Sequence, residues 1–209
     1  MSHESDREQL VDGLRRTNRI QRESVLEAIR SVPRHEFVPD GHENRAYKDR
    51  PLLIGHDQTI SAPHMVAIMC DRIDPSPGDR VLEIGTGCGY HAAITTEIVG
   101  DGTVYSVEYV PELAETARDR LERLDYDVRV KTGDGYEGWP DHAPYDAAYL
   151  TCAASELPDS IIEQIAPGGR IVAPIGQRNQ KLVIAEKKDD GSLSQWTDGR
   201  VRFVPMRGG

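Results

Sequence analysis

Three glycines spaced two residues apart mark the part of the chain that could bind a nucleotide-like ligand. Gly85, Gly87 and Gly89 follow an apolar run over residues 81–84, and a helical pattern, Tyr90–Val99, begins directly after them. A strand, a glycine turn and a helix together present backbone N–H groups to such a ligand, and glycine lets the ligand approach the backbone closely. The spacing is G-x-G-x-G rather than the G-x-G-x-x-G of dinucleotide-binding folds.

Acidic side chains stand at the ends of the strands that this pattern predicts. Glu108 ends the strand after the glycine turn, about 20 residues further on, where a carboxylate can accept both hydroxyls of a ribose. Asp134 follows the third strand and could accept an adenine amino group, with the N–H of Gly135 nearby; the alternative is an ordinary Asp-Gly turn. Glu83, inside the strand end, and Thr86, between the glycines, are further candidate cofactor-binding residues.

These residues favour an adenosine without phosphates as the ligand. No lysine follows the glycine turn, which excludes a P-loop, and the carboxylate of Glu108 disfavours a 2′-phosphate. S-adenosyl-L-methionine is therefore the best fit as cofactor, with a nicotinamide dinucleotide second. A nicotinamide oxidoreductase is the weaker alternative, because no second domain is predicted that could supply a substrate site.

A second group of polar residues precedes the glycine turn and begins at Gln58. Ser61 stands just before an apolar helical run, with Pro63 in the first turn, and this pattern is typical of a helix N-cap. From the residues alone, Ser61 is a cap, Thr59 belongs to an extended segment and His64 is a surface residue of the first helical turn. A helix start also favours a bound carboxylate, so capping and binding do not exclude each other.

The elements that position these residues alternate between strand and helix from residue 80 onward. This alternation predicts an α/β fold with a doubly wound, mainly parallel, Rossmann-like sheet. The predicted strands are 81–84, 103–108, 128–132, 145–151 and 170–175, followed by closing antiparallel strands at 181–187, 193–197 and 201–205. The predicted helices are two within 5–32, one that starts at residue 62, and 90–99, 111–124 and 158–165, with an ordered loop over 40–57.

Length and composition bound the organisation of the chain and its partners. The 209 residues predict a single domain, 1–209, with residues 1–75 as an amino-terminal helical, substrate-side layer and residues 76–209 as the cofactor-binding core. The formal net charge of −10 argues against nucleic-acid binding. The three cysteines form no CxxC pair, so neither a disulfide framework nor a metal site is predicted. No apolar run resembles a signal peptide or a membrane span, and we expect a cytoplasmic monomer with no membrane partner.

Five blocks of the sequence give a more specific indication. They are residues 55–64 (GHDQTISAPH), 81–90 (VLEIGTGCGY), 133–140 (GDGYEGWP), 143–146 (APYD) and 167–176 (PGGRIVAPIG). Together they closely resemble the protein-L-isoaspartate O-methyltransferase family, and the similarity spans nearly the whole chain. The resemblance implies a class I methyltransferase fold and methyl transfer from S-adenosyl-L-methionine to the α-carboxylate of L-isoaspartyl residues, a repair of damaged proteins. Isoaspartyl-containing proteins and peptides are then the expected partners.

The resemblance also assigns roles within the block before the glycine turn. It implies that Ser61 is the catalytic hydroxyl and that it binds the substrate together with Gln58 and Thr59. Thr59, Ile60 and His64 would lie close to the cofactor. A carboxylate is already nucleophilic at pH 7, so such an enzyme needs alignment and desolvation of the anion rather than a strong base.

Two other functions stay open at this point. One is a non-catalytic binding or adaptor protein that kept the fold, against which the intact glycines and acids argue. The other is a different S-adenosylmethionine methyltransferase with a small-molecule acceptor, against which the block 59–64 argues. Asp57 departs from the family, which commonly has Gly or Asn there, and its charge could repel an anionic substrate.

Overall fold

The computed structural model describes residues 3–209, so Met1 and Ser2 of the predicted layer 1–75 lie outside the described residues. The α-helices are α1 (His3–Arg16), α2 (Glu23–Ser31), α3 (Pro63–Ile73), α4 (Tyr90–Val99), α5 (Pro111–Arg123) and α6 (Asp159–Glu163). The strands are β1 (Leu52–Gly55), β2 (Gln58–Ile60), β3 (Arg80–Ile84), β4 (Thr103–Glu108), β5 (Val128–Thr132), β6 (Tyr145–Leu150), β7 (Ile165–Ile175), β8 (Lys181–Lys187) and β9 (Leu193–Arg200).

A seven-stranded sheet forms the centre of the molecule, in the order β5-β4-β3-β6-β7-β8-β9. The strands from β5 to β7 pair in parallel, whereas β8 and β9 are antiparallel additions at one edge. The chain order reverses direction across the sheet at β3, as it does in doubly wound folds, where ligands bind beyond the carboxyl ends of the strands. The predicted fold class is therefore confirmed.

The carboxyl edge of the parallel strands gathers the residues that the sequence singled out. The glycine turn follows β3, Glu108 ends β4, Asp134 follows β5 by two residues and Thr151 follows β6 directly. Parallel strands end at the same edge of a sheet, so four separate segments supply one site.

The amino-terminal helices pack onto this sheet and do not stand apart from it. α2 contacts α3 and α4, and one continuous cluster of buried apolar side chains runs from Leu10 in α1 to Ile184 in β8. Burying a shared apolar surface favours folding as one cooperative unit. The single domain 1–209 stays a prediction. No helix among residues 3–209 has the length and apolar character that a membrane crossing requires.

The predicted loop over 40–57 is wrong at its end, where β1 and β2 form a small antiparallel hairpin. Its turn is His56-Asp57, and both residues have left-handed backbone, with φ of 51° and 59°. Asn-Gly is the usual sequence signal for such a turn. His56-Asp57 lacks that signal, so the sequence did not predict the hairpin. The left-handed conformation also gives a physical reason why Gly or Asn suits position 57, and Asp is among the residues that tolerate it.

Two of the element boundaries near the carboxyl terminus also differ from the prediction. Residues 201–205 are not a regular strand: only Pro205 pairs, with Ala153 on its neighbouring segment. The N–H of Val201 bonds the backbone oxygen of Gln180, and the N–H of Phe203 bonds that residue's side-chain oxygen at 2.6 Å. Gln180 therefore accepts two N–H groups of this segment in place of a regular strand partner.

The last predicted helix, 158–165, is shorter than expected. α6 ends at Glu163, and β7 begins at Ile165 rather than at residue 170, with an irregularity in its pairing to β6. The Pro-Gly-Gly sequence at 167–169 therefore lies inside the paired strand instead of before it.

Candidate active site

A cavity at the carboxyl edge of the sheet, here called the donor cavity, brings together most of the predicted cofactor residues. The glycine turn, the end of β4 and the segment that begins at Gln58 all line it. The predicted residues on its wall are Gln58, Thr59, Ile60, Ser61, Gly85, Thr86, Gly87, Glu108 and Gly135. His64, Glu83, Gly89 and Asp134 are not among the lining residues.

Glycine is required at position 85 for two reasons. Its φ of 96° lies in the left-handed region, and a Cβ there would overlap the hydroxyl of Thr151. That hydroxyl donates a hydrogen bond to the Gly85 carbonyl at 2.6 Å. The strand end after β6 therefore clamps the glycine turn, and together they shape the floor of the donor cavity.

Gly135 is required on the opposite side of the same cavity. A Cβ at this position would collide with the side chain of Ile84 and would lie 2.9 Å from the Cε of Met206. A flat ligand such as an adenine ring can contact a glycine backbone closely, where any side chain would fill the space. Gly85 and Gly135 therefore line the donor cavity with backbone alone, as close contact with a flat adenosyl group requires.

Glu108 is buried at the end of β4, where backbone groups hold its carboxylate. One oxygen accepts the N–H of Gly87 at 2.8 Å and the other accepts the N–H of Val110 at 2.9 Å. A carboxylate offers about four lone-pair positions, so each oxygen can accept one further hydrogen bond. The contact with Gly87 also fixes the carboxylate of Glu108 against the glycine turn.

Asp134 lies behind Gly135 and its carboxylate is engaged within the chain. One oxygen accepts the N–H of Tyr136 at 2.9 Å, which caps a short 3-10 helix, Gly135–Glu137. The other accepts the N–H of Gly209 at 2.8 Å. Asp134 is thus a turn residue, which was the alternative interpretation of its sequence. An adenine amino group would have to share its carboxylate with the N–H of Gly209 or displace that N–H.

Glu83 does not face the cavity, although its sequence position suggested a cofactor contact. It lies fully buried in β3, in register with Ser106 of β4 and Tyr149 of β6. The Tyr149 hydroxyl donates to one carboxylate oxygen at 3.0 Å and the Ser106 hydroxyl to the other. Burial raises the pKa of Glu83 to about 8 despite these bonds. The hydroxyl of Thr86 lies 2.5 Å from that of Ser106. Glu83 is therefore linked to the glycine turn through Ser106, on the side away from the cavity.

The prediction that Ser61 caps the following helix is wrong. Ala62 occupies the N-cap position of α3, and the capping bond comes from Asp49, whose carboxylate accepts the N–H of His64 at 2.9 Å. Within residues 3–209 the Ser61 hydroxyl has no hydrogen-bond partner. A serine whose hydroxyl is spared from capping can donate to a ligand.

Ser61 lies where the donor cavity meets a second, wider opening of about 800 Å³, here called the acceptor groove. Thr59, Thr151, Val204 and Pro205 line both spaces as well. The other lining residues come from three places: just before β1, the start of α3, and the chain from the end of β9 onward. They are Pro51, Ala62, His64, Met65, Arg200, Val201, Arg202 and Phe203.

His64 belongs to this acceptor groove and not to the donor cavity. Its ring Nδ1 lies 2.9 Å from the carboxylate of Asp49, and its side chain is partly exposed. Burial acts to raise the pKa of Asp49, but the hydrogen bonds from His64 outweigh it and hold that pKa below its usual range. The pair therefore fixes the start of α3 beside Ser61.

Several residues that line the site were not predicted from the sequence, and most of them lie near the carboxyl terminus of the chain. Thr151 appeared only as the end of a predicted strand, although it clamps Gly85. Val204, Pro205, Met206 and Arg207 line the donor cavity, and Arg207 donates to the carbonyl of His56 at 2.9 Å. Their sequence separation from the glycine turn exceeds 100 residues, and only the tertiary fold brings them there. The sequence predicted residues 201–205 only as a closing strand, which indicated no place at the site.

The fold and the site together define a class. A seven-stranded sheet of this order, with a glycine turn after β3 and a carboxylate at the end of β4, is the architecture of the α/β methyltransferases that use S-adenosyl-L-methionine. The bare backbone of Gly85 and Gly135 on the wall of the donor cavity is compatible with the adenosyl group of that cofactor.

Comparison with known proteins identifies the family within this class. The model of the family described as Protein-L-isoaspartate(D-aspartate) O-methyltransferase (PCMT) matches residues 5–209. Protein-L-isoaspartate O-methyltransferase 2 of Archaeoglobus fulgidus is 54% identical over 210 residues, which cover 100% of this chain and 95% of that protein. The chain belongs to this family, and the predicted activity, S-adenosyl-L-methionine-dependent protein-L-isoaspartate O-methyl transfer, is confirmed.

Solved structures agree with this assignment. A protein-L-isoaspartate O-methyltransferase, 32% identical, superposes with a TM-score of 0.89 over 97% of this chain and 66% of that chain. A beta-aspartate methyltransferase (PCMT) from Plasmodium falciparum, 25% identical, has a TM-score of 0.85 over 99% of both chains, and its crystal structure is a complex with S-adenosyl-L-homocysteine.

Proposed function

We propose that Ser61 holds the α-carboxylate of an isoaspartyl residue at the boundary between the donor cavity and the acceptor groove. The observation that carries this proposal is the position of Ser61 on the wall of both spaces, with a hydroxyl that no described residue engages. One hydroxyl donor can orient a carboxylate without neutralising it, so the anion stays nucleophilic.

The residues of this chain have three tasks in the reaction. When bound, S-adenosyl-L-methionine supplies an electrophilic methyl group for a carboxylate oxygen of the substrate. Ser61 and Thr59 hold that carboxylate at the opening of the donor cavity, and apolar neighbours such as Ile60 exclude water from it. Alignment and partial desolvation of a reacting anion account for much of the rate that such sites provide. No proton has to be removed from the nucleophile, so the site needs no general base.

The cofactor side rests on residues from two strand ends. We assign the ribose hydroxyls to Glu108, because each oxygen of its carboxylate retains an acceptor position. Gly135 and Asp134 are assigned to the adenine, and Thr86, Gly87 and the turn that ends at Gly89 to the remaining backbone contacts. Glu83 does not contact the cofactor in this assignment; it supports the glycine turn through its hydrogen bond with Ser106.

The acceptor groove supplies positive charge for an anionic substrate. Arg200 and Arg202 are exposed on its rim, and neither guanidinium has a hydrogen-bond or ion-pair partner within residues 3–209. On a chain of net charge −10, two unpaired cations beside the site would attract a carboxylate-bearing peptide. Gln58 and Thr59 approach from the hairpin on the other side.

A matched pair of peptides, which differ only in one isoaspartyl or normal aspartyl residue, tests the substrate part of the proposal, and the variant Ser61→Ala tests the role of the hydroxyl. Labelled S-adenosyl-L-methionine should transfer base-labile methyl groups to the isoaspartyl peptide alone. Equal labelling of both peptides would overturn the substrate assignment, and cofactor binding without any transfer would favour an adaptor. A monomeric state, a cytoplasmic location and the absence of nucleic-acid and membrane partners stay predictions, which light scattering, cell fractionation and binding assays would test.

A further inference from the structure

A fully buried arginine lies behind the acceptor segment. Arg34, in the connector after α2, has 0% of its surface exposed, and burial lowers its pKa. No carboxylate among the described residues lies within the 4.0 Å of an ion pair with it. Burying a cation without an ion-pair partner costs free energy. The groups that replace water around the guanidinium therefore indicate the role of Arg34.

Backbone carbonyls provide most of those contacts. The guanidinium donates to the carbonyl of Ala46 at 3.1 Å, to that of Arg50 at 3.4 Å and to that of Ser61 at 2.8 Å. Ala46 and Arg50 belong to the loop before β1, and Ser61 belongs to the segment before α3, so the guanidinium joins two separate segments. The shortest of the three bonds is the one to Ser61. Because the planar guanidinium presents its donors in a fixed fork, it sets the relative positions of these segments.

The same guanidinium also reaches the cofactor side. Its central carbon lies 5.2 Å from the ring centroid of Tyr90, the first residue of α4 directly after the glycine turn, and this ring lines the donor cavity. A cation over an aromatic face at this distance is attracted to it. One side chain thus contacts both the segment that presents Ser61 and the helix that follows the glycine turn.

We propose that Arg34 is a positioning residue for methyl transfer: it fixes the Ser61 backbone relative to Tyr90 and so sets the hydroxyl against the donor cavity. This rests on the proposed role of Ser61. A side chain that only filled space could be apolar, whereas a fork of donors aimed at three carbonyls specifies geometry. A shift of about 1 Å in a reacting group can cost about 100-fold in rate.

The test compares Arg34→Lys with wild type, using turnover of the isoaspartyl peptide and titration with S-adenosyl-L-homocysteine to count competent sites. Lysine keeps the charge but cannot reach three carbonyls. We expect kcat per competent site to fall about 10- to 100-fold, with the Kd for S-adenosyl-L-homocysteine within about 3-fold of wild type. In Arg34→Ala, about 20 mM guanidinium chloride, far below the molar range that unfolds proteins, should restore kcat at least about 5-fold, whereas NaCl should not.

A matched control separates positioning from stability. Ile171→Ala removes a buried side chain from β7 in a core cluster that does not contain Arg34, and it should lower stability while kcat stays within about 2-fold of wild type. The double variant Ser61→Ala/Arg34→Lys should lose little more than Ser61→Ala alone, because residues that act through one another are not additive.

Three results would overturn the role of Arg34. They are an unchanged kcat in Arg34→Lys, a loss of cofactor affinity that accounts for the whole loss of rate, or an Arg34→Lys protein that binds no S-adenosyl-L-homocysteine. Additive losses in the double variant would show that Arg34 does not act through Ser61. Unchanged turnover in Ser61→Ala with a slow Arg34→Lys would instead remove the proposed role of Ser61, so the two failures are distinguishable.

Discussion

The carboxylate of Asp49 accepts the N–H of His64 at 2.9 Å, and this bond takes the capping role that sequence position assigns to Ser61. Asp49 lies 15 residues before His64 in the sequence. The long-range cap leaves the Ser61 hydroxyl without an internal partner at the boundary of two cavities. Asp49 thus caps the helix, and the hydroxyl of Ser61 stays available for the substrate carboxylate that we propose it holds.

Removing this cap should affect stability more than cofactor binding. We expect Asp49→Ala to lower the free energy of unfolding by about 1 kcal/mol, the usual value of an N-cap. Because the pKa of Asp49 is held below its usual range, its contribution is present above the unfolded-state pKa and is lost as the pH falls through the folded-state pKa. Urea unfolding of both proteins at pH 7 and pH 3 measures this. A constant difference between the two pH values would contradict it.

Glu108 should determine cofactor affinity. In Glu108→Gln one oxygen and the charge are lost, so the Kd for S-adenosyl-L-homocysteine should rise about 10- to 100-fold, as expected for hydrogen bonds to a charged group. Glu112→Gln, four residues along the chain in the first turn of α5, is the matched control and should bind normally. Calorimetric titration gives both constants, and equal affinity in the two variants would rule out the ribose assignment.

Glu83 makes stability depend on pH in an unusual direction. Its pKa of about 8 in the fold exceeds the ordinary 4.5, so the folded state keeps a proton that the unfolded state releases between these values. The free energy of unfolding should therefore decline with rising pH across this window, by up to about 1.4 kcal/mol per pH unit. Above about pH 8 the decline ends.

The isosteric variant Glu83→Gln isolates this contribution, since other titrating groups are common to both proteins. Denaturant unfolding at pH 5, 6.5 and 8 should show wild type losing stability relative to Glu83→Gln as the pH rises. Parallel pH curves for the two proteins would mean that Glu83 is already ionised in the folded state.

The two arginines on the groove rim should act on substrate capture and not on chemistry. Arg200→Gln/Arg202→Gln should raise the KM for an acidic isoaspartyl peptide at least about 3-fold at low salt, with kcat nearly unchanged, because rim charges mainly steer association. The difference should shrink above about 0.5 M salt. Arg178→Gln, an exposed arginine outside the groove, is the control. A KM that is insensitive to these charges would show that the peptide lies elsewhere.

Much of the core could be predicted from the sequence, because its signals are local. The glycine turn, Glu108 and Gly135 lie within periodic strand and helix patterns, and parallel strands bring their carboxyl ends together. What failed depends on contacts distant in sequence. Ser61 has the local pattern of a cap, but Asp49 displaces it. The register of β3 turns Glu83 toward Ser106 and Tyr149, and no local pattern encodes that.

The carboxyl-terminal wall of the site shows the same limit. Residues 201–205 have a strand-like composition, yet Gln180 accepts the N–H groups of Val201 and Phe203, and the segment lines both cavities as an irregular chain. That Gln180 bonds this segment could be seen only in the folded structure, because no local sequence pattern indicates it.

The turnover of Ser61→Ala is the most direct test of the account. We expect kcat for an isoaspartyl peptide to fall at least about 10-fold, because a hydrogen bond to a charged carboxylate is lost, while the Kd for S-adenosyl-L-homocysteine stays within about 3-fold. Ser194→Ala in β9, away from both cavities, should match wild type in both measurements. A Ser61→Ala enzyme with wild-type kcat would contradict the central claim that this hydroxyl holds the reacting carboxylate.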